Sequence, residues 1–372
     1  MRRLVSILAA GMLLLAAGAG WAGEGSVRIG VLLPLTGPAT AYGQMALRGI
    51  RMAYKDRPTV LGRQVQLVIA DTKGDKVEAS NAANRLIQRD RVVAIIGALS
   101  SSTTLAAAPI AEKAHIPLVT GWATNPLVTQ GRKWVFRTCF IDPFQGKVAA
   151  TFAYKDLGLK TAAVMIDISR DYSVGLGTFF ARAFKSLGGK ILVKIYYTSG
   201  DQDFSAQLGI IKSKSPQLIY LPGYLPEEPL IIRQAREMGL TQPFISGDAA
   251  QADEVIKIGG KAVEGLYLTT HFDEQGVTTK VGKHYTTEYR KLYHKAPDAM
   301  GALGYDAYNV LLTAIAKAGT TSPAAIRDAL EGIRNFEGVC GVMSLVNHDA
   351  VKPAVILKVE GGKFVYVTTV KP

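Results

Sequence analysis

The chain has 372 residues, which exceeds what one hydrophobic core usually supports and therefore predicts two domains. Its formal net charge is +13, but the basic residues are scattered along predicted helices and are not interleaved with aromatic residues, which argues against nucleic-acid binding. The two cysteines, Cys139 and Cys340, are too few for a structural zinc site built on thiolates.

The first 22 residues have the features of a secretory signal peptide. Arg2 and Arg3 precede an apolar run from Leu4 to Ala19, and small residues lead to a predicted cleavage site after Ala22. The run is too short for a membrane helix, which needs roughly 20 apolar residues. Because no cysteine follows it, we expect no lipid anchor. The sequence therefore predicts a soluble protein exported to the periplasm, with residues 1–22 removed.

The first part of the mature chain alternates predicted strands with predicted helices. The strands are short apolar runs, and the helices repeat apolar residues at spacings of three and four. Since parallel neighbours need a long crossover, this alternation predicts a mostly parallel sheet flanked by helices. The predicted strands are Val27 to Leu33, Val65 to Ala70, Val92 to Ile96 and Pro117 to Val119, and the helical patterns run from Tyr42 to Ala53 and from Ala79 to Ile87.

A second series of the same kind begins near Asp142 and predicts a second lobe. Its helices are Gln145 to Leu157, Val174 to Leu187, Phe204 to Lys214 and Glu227 to Met238, and its strands are Thr161 to Ile166, Ile191 to Tyr197, Gln217 to Leu221 and Pro243 to Ser246. Past Gly265 we predict helices Val281 to Tyr293 and Ala299 to Ala318, and then strands Val339 to Val346, Ala354 to Val359 and Phe364 to Thr368.

The motifs of common enzyme sites fail in this sequence. The glycine pattern at Gly18, Gly20 and Gly23 lies in the signal peptide with no strand before it, and no Gly-Lys pair is followed by Ser or Thr. The histidines lie in unrelated contexts, so no nucleophile, base or metal ligand set can be named. We therefore predict a protein that is not an enzyme and has no catalytic residue, no metal and no cofactor.

Hydroxyl groups crowd the start of one predicted helix. Ser100, Ser101 and Ser102, followed by two threonines, come between a strand and an alanine-rich helix. The unpaired N–H groups and the dipole of a helix start favour an anion. In the alternative interpretation one serine only caps the helix. A cap needs one hydroxyl, so the run favours an anion site.

The other predicted strands also end in side chains suited to a ligand. Trp122, Ala123 and Thr124 follow the next strand, and Tyr172, Tyr224 and Asp248 follow strands of the second series. Ligands of doubly wound sheets bind at these carboxyl ends. Donors on one lobe and an acid with tyrosines on the other match a zwitterion. The alternative for Asp248 is an ordinary helix cap.

Several short motifs occur in order from Gly30 to Gly239. They are Gly30 to Pro38 with Tyr42-Gly43, Gly97 to Thr103, Ala123 to Pro126, Phe136 to Thr138 with Asp142 and Gln145-Gly146, Asp171-Tyr172, Asp203-Phe204, Gly223-Tyr224 and Gln234 to Arg236. In this combination the sequence resembles the leucine/isoleucine/valine-binding proteins of ABC transport systems, over essentially the whole mature chain.

The resemblance implies a type I periplasmic binding protein, with two α/β lobes of mostly parallel sheets joined by three hinge crossings. It implies an N-terminal lobe of residues 24–140 plus 272–352 and a C-terminal lobe of residues 141–271 plus 353–372. Hinge closure would hold an amino acid, branched-chain or otherwise apolar or aromatic, between the lobes. The implied partner is the membrane permease of an ABC importer, and we expect a monomer.

The resemblance also implies roles for single residues. Ser100 with its neighbour Ser101, Thr124 and backbone groups at Ala123 would bind the ligand α-carboxylate, and Asp248 would take the α-ammonium. Tyr42, Tyr172 and Tyr224 would line or close the cleft. Trp122 is bulkier than its counterpart in leucine-type binders, and it either stacks on the ligand, narrows the pocket or packs in the core. Ala249 and Ala250 also depart from the family pattern.

The resemblance leads to one further prediction and two alternatives. Better-studied members have a disulfide near the serine run, which this chain lacks, and Cys139 and Cys340 both map near the junction of the lobes, so we predict that they pair. In the first alternative the ligand is a carboxylic acid or an amide without an α-amino group. In the second, the chain reports its ligand to a membrane receptor.

Overall fold

The computed structural model describes residues 25–372, so the predicted signal peptide lies outside the described residues. Among them, no helix combines the length and the apolar character that crossing a membrane requires. The strands are β1 Val27–Leu33, β2 Thr59–Val60, β3 Arg63–Asp71, β4 Ala94–Ile96, β5 Leu118–Thr120, β6 Val135–Arg137, β7 Thr161–Asp167, β8 Lys190–Tyr197, β9 Leu218–Tyr220, β10 Phe244–Ser246, β11 Tyr267–Thr270, β12 Phe336–Gly338, β13 Gly341–Val346, β14 Asp349–Val351, β15 Ala354–Glu360 and β16 Lys363–Val370.

Helices separate most of these strands. The helices are α1 Thr40–Asp56, α2 Lys76–Gln88, α3 Ser101–Ala114, α4 Asp142–Thr151, α5 Asp171–Ser186, α6 Ser205–Lys214, α7 Glu227–Glu237, α8 Asp253–Gly259, α9 Lys280–Tyr293, α10 Ala299–Ala318 and α11 Pro323–Glu331. A single π turn, Phe152–Asp156, extends α4. The predicted strand–helix alternation is confirmed.

The first sheet has six strands in the order β2-β3-β1-β4-β5-β6. Every pairing is parallel except the short hairpin of β2 with β3. Alternate residues of β1 pack on opposite faces, since Val31 belongs to the core with α1 and α10 whereas Leu32 packs with α2 and α3. Burial on both faces explains why these strands read as continuous apolar runs.

The second sheet has seven strands in the order β16-β15-β11-β10-β9-β7-β8. The five strands from β7 to β11 are parallel, and the last two strands of the chain add antiparallel at one edge. Two mostly parallel sheets, each flanked by helices, confirm the predicted two-lobed α/β architecture.

The chain passes between the two lobes three times, and the segment between the last two crossings contains a separate sheet of β12, β13 and β14. The first crossing joins β6 to α4 and contains Phe140, the second joins β11 to α9 and contains His271, and the third joins β14 to β15 and contains Lys352. All three side chains are buried. The Phe140 and His271 rings stack with their centroids 3.6 Å apart, so two of the crossings pack directly on each other.

The structure corrects the predicted disulfide, because Cys139 and Cys340 are both buried free thiols. The Cys139 Sγ lies 3.5 Å from the carbonyl oxygen of Ala123, in the loop after β5. The backbone of Cys340, in the turn between β12 and β13, donates to Asp306 at 2.9 Å. Each cysteine is thus held in its own environment, and burial raises the pKa of the Cys139 thiol to about 12.

Candidate functional site

The predicted site residues lie at the carboxyl ends of strands from both sheets. They are Ser100 and Ser101 after β4, Trp122, Ala123 and Thr124 after β5, Tyr172 after β7, Tyr224 after β9 and Asp248 after β10, with Tyr42 near the start of α1. Ser100 and Tyr224 are partly exposed and the other seven are buried.

The first two serines of the run, Ser100 and Ser101, each accept a backbone N–H, but from different parts of the chain. Ser100 caps α3, because its Oγ accepts the N–H of Thr103 at 3.2 Å, and the Thr103 hydroxyl donates to the carbonyl of Ala98 at 2.7 Å. The capping interpretation therefore describes the Ser100 side chain. Ser101 is fully buried, and its Oγ accepts the N–H of Asn125 at 3.3 Å, which leaves its own proton for another partner.

Arg137 holds the loop that follows β5. This fully buried guanidinium donates to the carbonyl oxygens of Ala123 at 2.8 Å and Asn125 at 2.9 Å, and it pairs with Asp349 at 2.6 Å. Thr124 lies between the two anchored carbonyls. Its Oγ1 is buried near the Asp142 carboxyl and makes no hydrogen bond of ordinary geometry within residues 25–372.

Trp122 packs within the first lobe. Its Nε1 donates to the carbonyl oxygen of Met300 at 2.9 Å, at the start of α10, and the indole belongs to the core that α1 and α10 share. A Cβ placed on Gly304 would lie 3.3 Å from the indole ring. The structure thus gives Trp122 a core contact that fixes its orientation at the edge of the site.

Asp248 is the centre of a buried polar network in the second lobe. Its Oδ1 accepts from Gln145 Nε2 at 2.9 Å and from the Tyr172 hydroxyl at 3.0 Å, and Gln145 also donates to Thr269 Oγ1 at 3.0 Å. His271 Nε2 lies 3.4 Å from Oδ2, within ion-pair range but without hydrogen-bond geometry. The predicted helix-cap alternative is not observed, since Asp248 caps no helix.

The network keeps Asp248 ionised. Burial alone would raise its pKa, but His271, Gln145 and Tyr172 together lower the pKa of this carboxyl below its ordinary value. Burial lowers the pKa of His271 to about 4, against the opposing effect of Asp248. At neutral pH the site therefore contains a buried carboxylate beside a neutral imidazole.

A row of tyrosines connects the lobes. The Tyr42 hydroxyl, from the first lobe, donates to the carbonyl of Ala249 at 3.0 Å and accepts the N–H of Leu225 at 3.1 Å. The Tyr42 and Tyr224 rings meet edge to face at 6.0 Å, and the Tyr224 and Tyr172 rings lie 5.0 Å apart. These aromatic side chains form a continuous contact from Tyr42 of the first lobe to Asp248, to which the Tyr172 hydroxyl donates a hydrogen bond.

A second set of contacts holds the lobes together. The Ser102 hydroxyl donates to Asp171 Oδ2 at 2.7 Å and accepts the Asp171 N–H at 3.0 Å. Asn125 Nδ2 donates to the Asp171 carbonyl at 2.8 Å, and Lys76 Nζ lies 3.1 Å from its carboxylate. We name these residues the Asp171 lock. With the Tyr42 contacts, it holds the two lobes against each other in this structure.

The chain is similar to proteins that bind solutes for transport. The model of a family described as periplasmic binding protein matches residues 26–363. The chain belongs to this family. A leucine-, isoleucine-, valine-, threonine- and alanine-binding protein of Pseudomonas aeruginosa is 32% identical over 325 residues, which cover 85% of this chain and 84% of the relative.

Solved structures of this periplasmic binding protein's relatives have the same fold. The leucine-binding protein LivK of Thermotoga maritima is 48% identical with a TM-score of 0.92, covering 93% of this chain and 99% of its own. The substrate-binding protein LivJ of Streptococcus pneumoniae, solved with isoleucine, is 29% identical with a TM-score of 0.87, covering 93% and 100%. Membership of the family identifies a binding protein for transport and not an enzyme.

The structure adds residues that reasoning from single positions did not place in this periplasmic binding protein's site. Arg137, Asp142 and Gln145 were singled out only as parts of family motifs, and their roles depend on contacts with distant strands. His271 and Glu228 carried no signal at all. Both are buried and close to Asp248, which only the folded chain reveals.

Proposed function

We propose that this protein binds an amino acid between its lobes and delivers it to the permease of an ABC importer. The observation that carries the proposal is that one side of the cleft is suited to an anion and the other side to a cation. One side presents the buried Thr124 hydroxyl, which has no hydrogen-bond partner among residues 25–372, close to the start of α3, and the other presents a buried, ionised carboxylate. A zwitterion satisfies both sides at once, which neither a simple acid nor a simple amine does.

The α-carboxylate belongs at the first lobe. Ser101 and Thr124 supply the hydroxyl donors, and Arg137 holds the loop that carries Thr124 near the start of α3 through the carbonyl oxygens of Ala123 and Asn125. A helix start stabilises an anion through its unpaired N–H groups and its dipole. Ser100, to which the resemblance also gives this role, accepts the Thr103 N–H as the cap of α3, and its Oγ lies 2.8 Å from the Thr103 hydroxyl.

The α-ammonium belongs at Asp248. Its Oδ1 has two donors from the protein, whereas Oδ2 has only the long contact to His271. A buried carboxylate that already accepts hydrogen bonds pairs with a cation at low desolvation cost. The relative from Pseudomonas aeruginosa is named for binding leucine, isoleucine, valine, threonine and alanine, and the relative from Streptococcus pneumoniae was solved with isoleucine. All of these ligands are zwitterions.

The working motion is hinge closure. Residues 24–140 plus 272–352 form one lobe and residues 141–271 plus 353–372 the other, and they rotate about the three crossings. A ligand that contacts both lobes binds the closed form better and shifts the population toward it. In this proposal residues 1–22 act as a signal peptide that directs export to the periplasm and is then cleaved. The mature protein is a monomer, and it docks on the permease in its closed form.

Asp248→Ala tests the proposal. Removing one partner of a buried charge pair costs about 2–5 kcal/mol, so we expect amino-acid affinity to fall at least about 30-fold with the fold intact. Calorimetry on protein unfolded and refolded to strip ligand measures the affinity, and circular dichroism checks the fold. Asp253→Ala, at an exposed acid on α8, is the matched control.

Two outcomes would contradict the proposal. Unchanged affinity in Asp248→Ala would remove this residue from the site. Binding of aromatic acids or amides, with no binding of any amino acid by the stripped wild type, would replace the zwitterion with a ligand that lacks an α-amino group.

A further inference from the structure

Glu228 is a buried acid for which the protein supplies no partner. It lies in the first turn of α7, its side chain has no exposed surface, and neither carboxyl oxygen forms a hydrogen bond of ordinary geometry in the described chain. Its neighbour Glu227 is also buried, but accepts the N–H of Gly200 at 2.7 Å. Leaving a polar group unsatisfied inside a protein is costly, so Glu228 requires an explanation.

Two tyrosine hydroxyls near Glu228 are also unsatisfied. Tyr197 and Tyr220, at the ends of β8 and β9, are buried, and neither hydroxyl has a hydrogen-bond partner among residues 25–372. A Cβ on Gly223 would lie 3.0 Å from the Tyr197 hydroxyl and 3.1 Å from Glu228 Cβ, so the Tyr197 and Glu228 side chains converge. Burial raises the pKa of Tyr220, and Glu228 contributes to this rise. The adjacent Ser246 hydroxyl donates to the carbonyl of Leu221 at 2.7 Å, so its proton is already used.

This cluster lies at the same edge of the second sheet as Asp248. The Glu228 N–H donates to the carbonyl oxygen of Tyr224 at 3.0 Å, and the Leu225 N–H in the same loop donates at 3.1 Å to the hydroxyl of Tyr42, which reaches across from the first lobe. Tyr42 and Tyr224 line the cleft beside the place proposed for the ligand. Glu228 therefore follows directly on the loop whose Tyr224 packs against Tyr42, next to the place proposed for the ligand.

The carboxyl of Glu228 is suited to a neutral polar group. Burial raises the pKa of Glu228 to about 8, with a further contribution from Asp248 and an opposing one from Ser246. A carboxyl that is protonated at neutral pH both donates and accepts a hydrogen bond. A hydroxyl or an amide can use both capacities, whereas a methyl group can use neither.

We propose that Glu228, with Tyr197 and Tyr220, forms a polar subsite that selects amino acids with a hydroxyl or amide side chain over aliphatic ones of the same shape. The inference rests on the proposed function, because it assumes a zwitterion held between Asp248 and the first lobe. Sites built to hydrogen-bond a ligand reject an isosteric analogue that leaves their polar groups unpaired.

Matched ligands of equal shape test the subsite without any mutation. Calorimetry on stripped wild-type protein compares threonine with valine and asparagine with leucine. We expect the polar member of at least one pair to bind about tenfold or more tightly than the apolar member, since one recovered hydrogen bond is worth about that factor. Tighter binding of the apolar member in both pairs would overturn the inference, as would a preference for a cationic side chain such as that of lysine.

Two variants then assign the preference to Glu228. Glu228→Gln keeps the shape and the hydrogen-bonding capacity of the side chain, so this variant should still bind the polar amino acid of the pair more tightly than the apolar one. Glu228→Met removes that capacity and should shift the affinity ratio at least about tenfold toward the apolar member. Glu237→Met, at an exposed position of the same helix, is the control. A ratio that Glu228→Met leaves unchanged would overturn the inference.

Failure of the subsite and failure of the proposed function give different results. If the apolar amino acids bind and only the predicted preference is missing, the subsite is wrong and the zwitterion site stands. If neither member of either pair binds, and no other amino acid does, the proposed function itself is wrong.

Discussion

Three carboxyl groups of the site lie close together and have different protonation states because they have different partners. Asp248 accepts two hydrogen bonds from Gln145 and Tyr172, and its pKa is lowered despite burial. Asp142 and Glu228 have no comparable donors, and burial raises the pKa of each to about 8. The site therefore concentrates its negative charge on Asp248, where a single ligand cation can neutralise it.

His271 makes folding stability depend on pH through the same network. Its folded-state pKa of about 4 lies below its ordinary value of about 6.5, so the unfolded chain takes up a proton that the folded chain excludes. Stability should therefore fall as the pH drops from 6.5 to 4. In His271→Gln this loss should be smaller by about 1–3 kcal/mol, as measured by urea unfolding of ligand-free protein across that range.

The exposed His284 provides the control for this prediction, because its ring lies at the surface beside Asp56. His284→Gln should retain the acid sensitivity of the wild type. If the free energy of unfolding depends on pH in the same way in His271→Gln and in the wild type, then His271 is not the cause of the acid sensitivity.

The sequence predicted which residues follow the carboxyl ends of the strands better than it predicted what each one contacts. Side chains that follow a strand reach the same sheet edge whatever their contacts, so Thr124, Tyr172 and Asp248 could be placed from the pattern alone. Ser100 could not be distinguished from Ser101, because which hydroxyl caps α3 depends on backbone angles at the turn. Glu228 was missed because an acid in a helix normally indicates an exposed face.

At the scale of elements, glycines let α1 and α10 approach until their backbones touch. A Cβ on Gly49 would lie 1.7 Å from the carbonyl oxygen of Gly301, and one on Gly304 would lie 2.5 Å from the carbonyl oxygen of Ala46. The contact joins the start of the chain to a helix from beyond the second crossing. It therefore fastens the two separated segments of the first lobe.

Gly49→Ala should weaken this helix pair. The methyl group meets backbone that cannot move independently, so α1 and α10 must separate, and we expect a loss of about 2–4 kcal/mol in the free energy of unfolding. Urea denaturation measures it. Gly209→Ala, in α6 where a Cβ meets no atom within 4 Å, should instead stabilise the chain by about 0.5–1 kcal/mol. Equal stability of Gly49→Ala and the wild type would refute the close contact.

Elements with strong patterns were predictable, and elements that depend on distant partners were not. The bounds of β1 and α10 agree with the prediction residue for residue, because both are long apolar runs ended by turn residues. β6 has three residues and was missed, since its burial comes from pairing with β5. Of the small sheet of β12, β13 and β14, only β13 was predicted, within the strand Val339 to Val346, because the other two strands have three residues each.

At the scale of the whole molecule, the Asp171 lock stabilises closure without touching the proposed ligand positions. Ser102, from α3, both donates to the Asp171 carboxylate and accepts its backbone N–H, and Lys76 approaches the same carboxylate. Burial raises the pKa of Asp171, but Ser102 and Lys76 outweigh it and lower the pKa overall. The closed form thus gains charge-assisted contacts that the open form lacks.

Ser102→Ala should therefore shorten the lifetime of the closed complex. Each of the two lost hydrogen bonds contributes about 0.5–1.5 kcal/mol, so ligand dissociation should accelerate at least about fivefold. Association should change little, because the ligand first meets the open form and interface changes act mainly on dissociation. Stopped-flow mixing with a bound amino acid measures both rates. Ser186→Ala, at an exposed serine that bonds only to its own helix, is the control. An unchanged dissociation rate in Ser102→Ala would mean that the ligand alone determines how long the lobes stay shut.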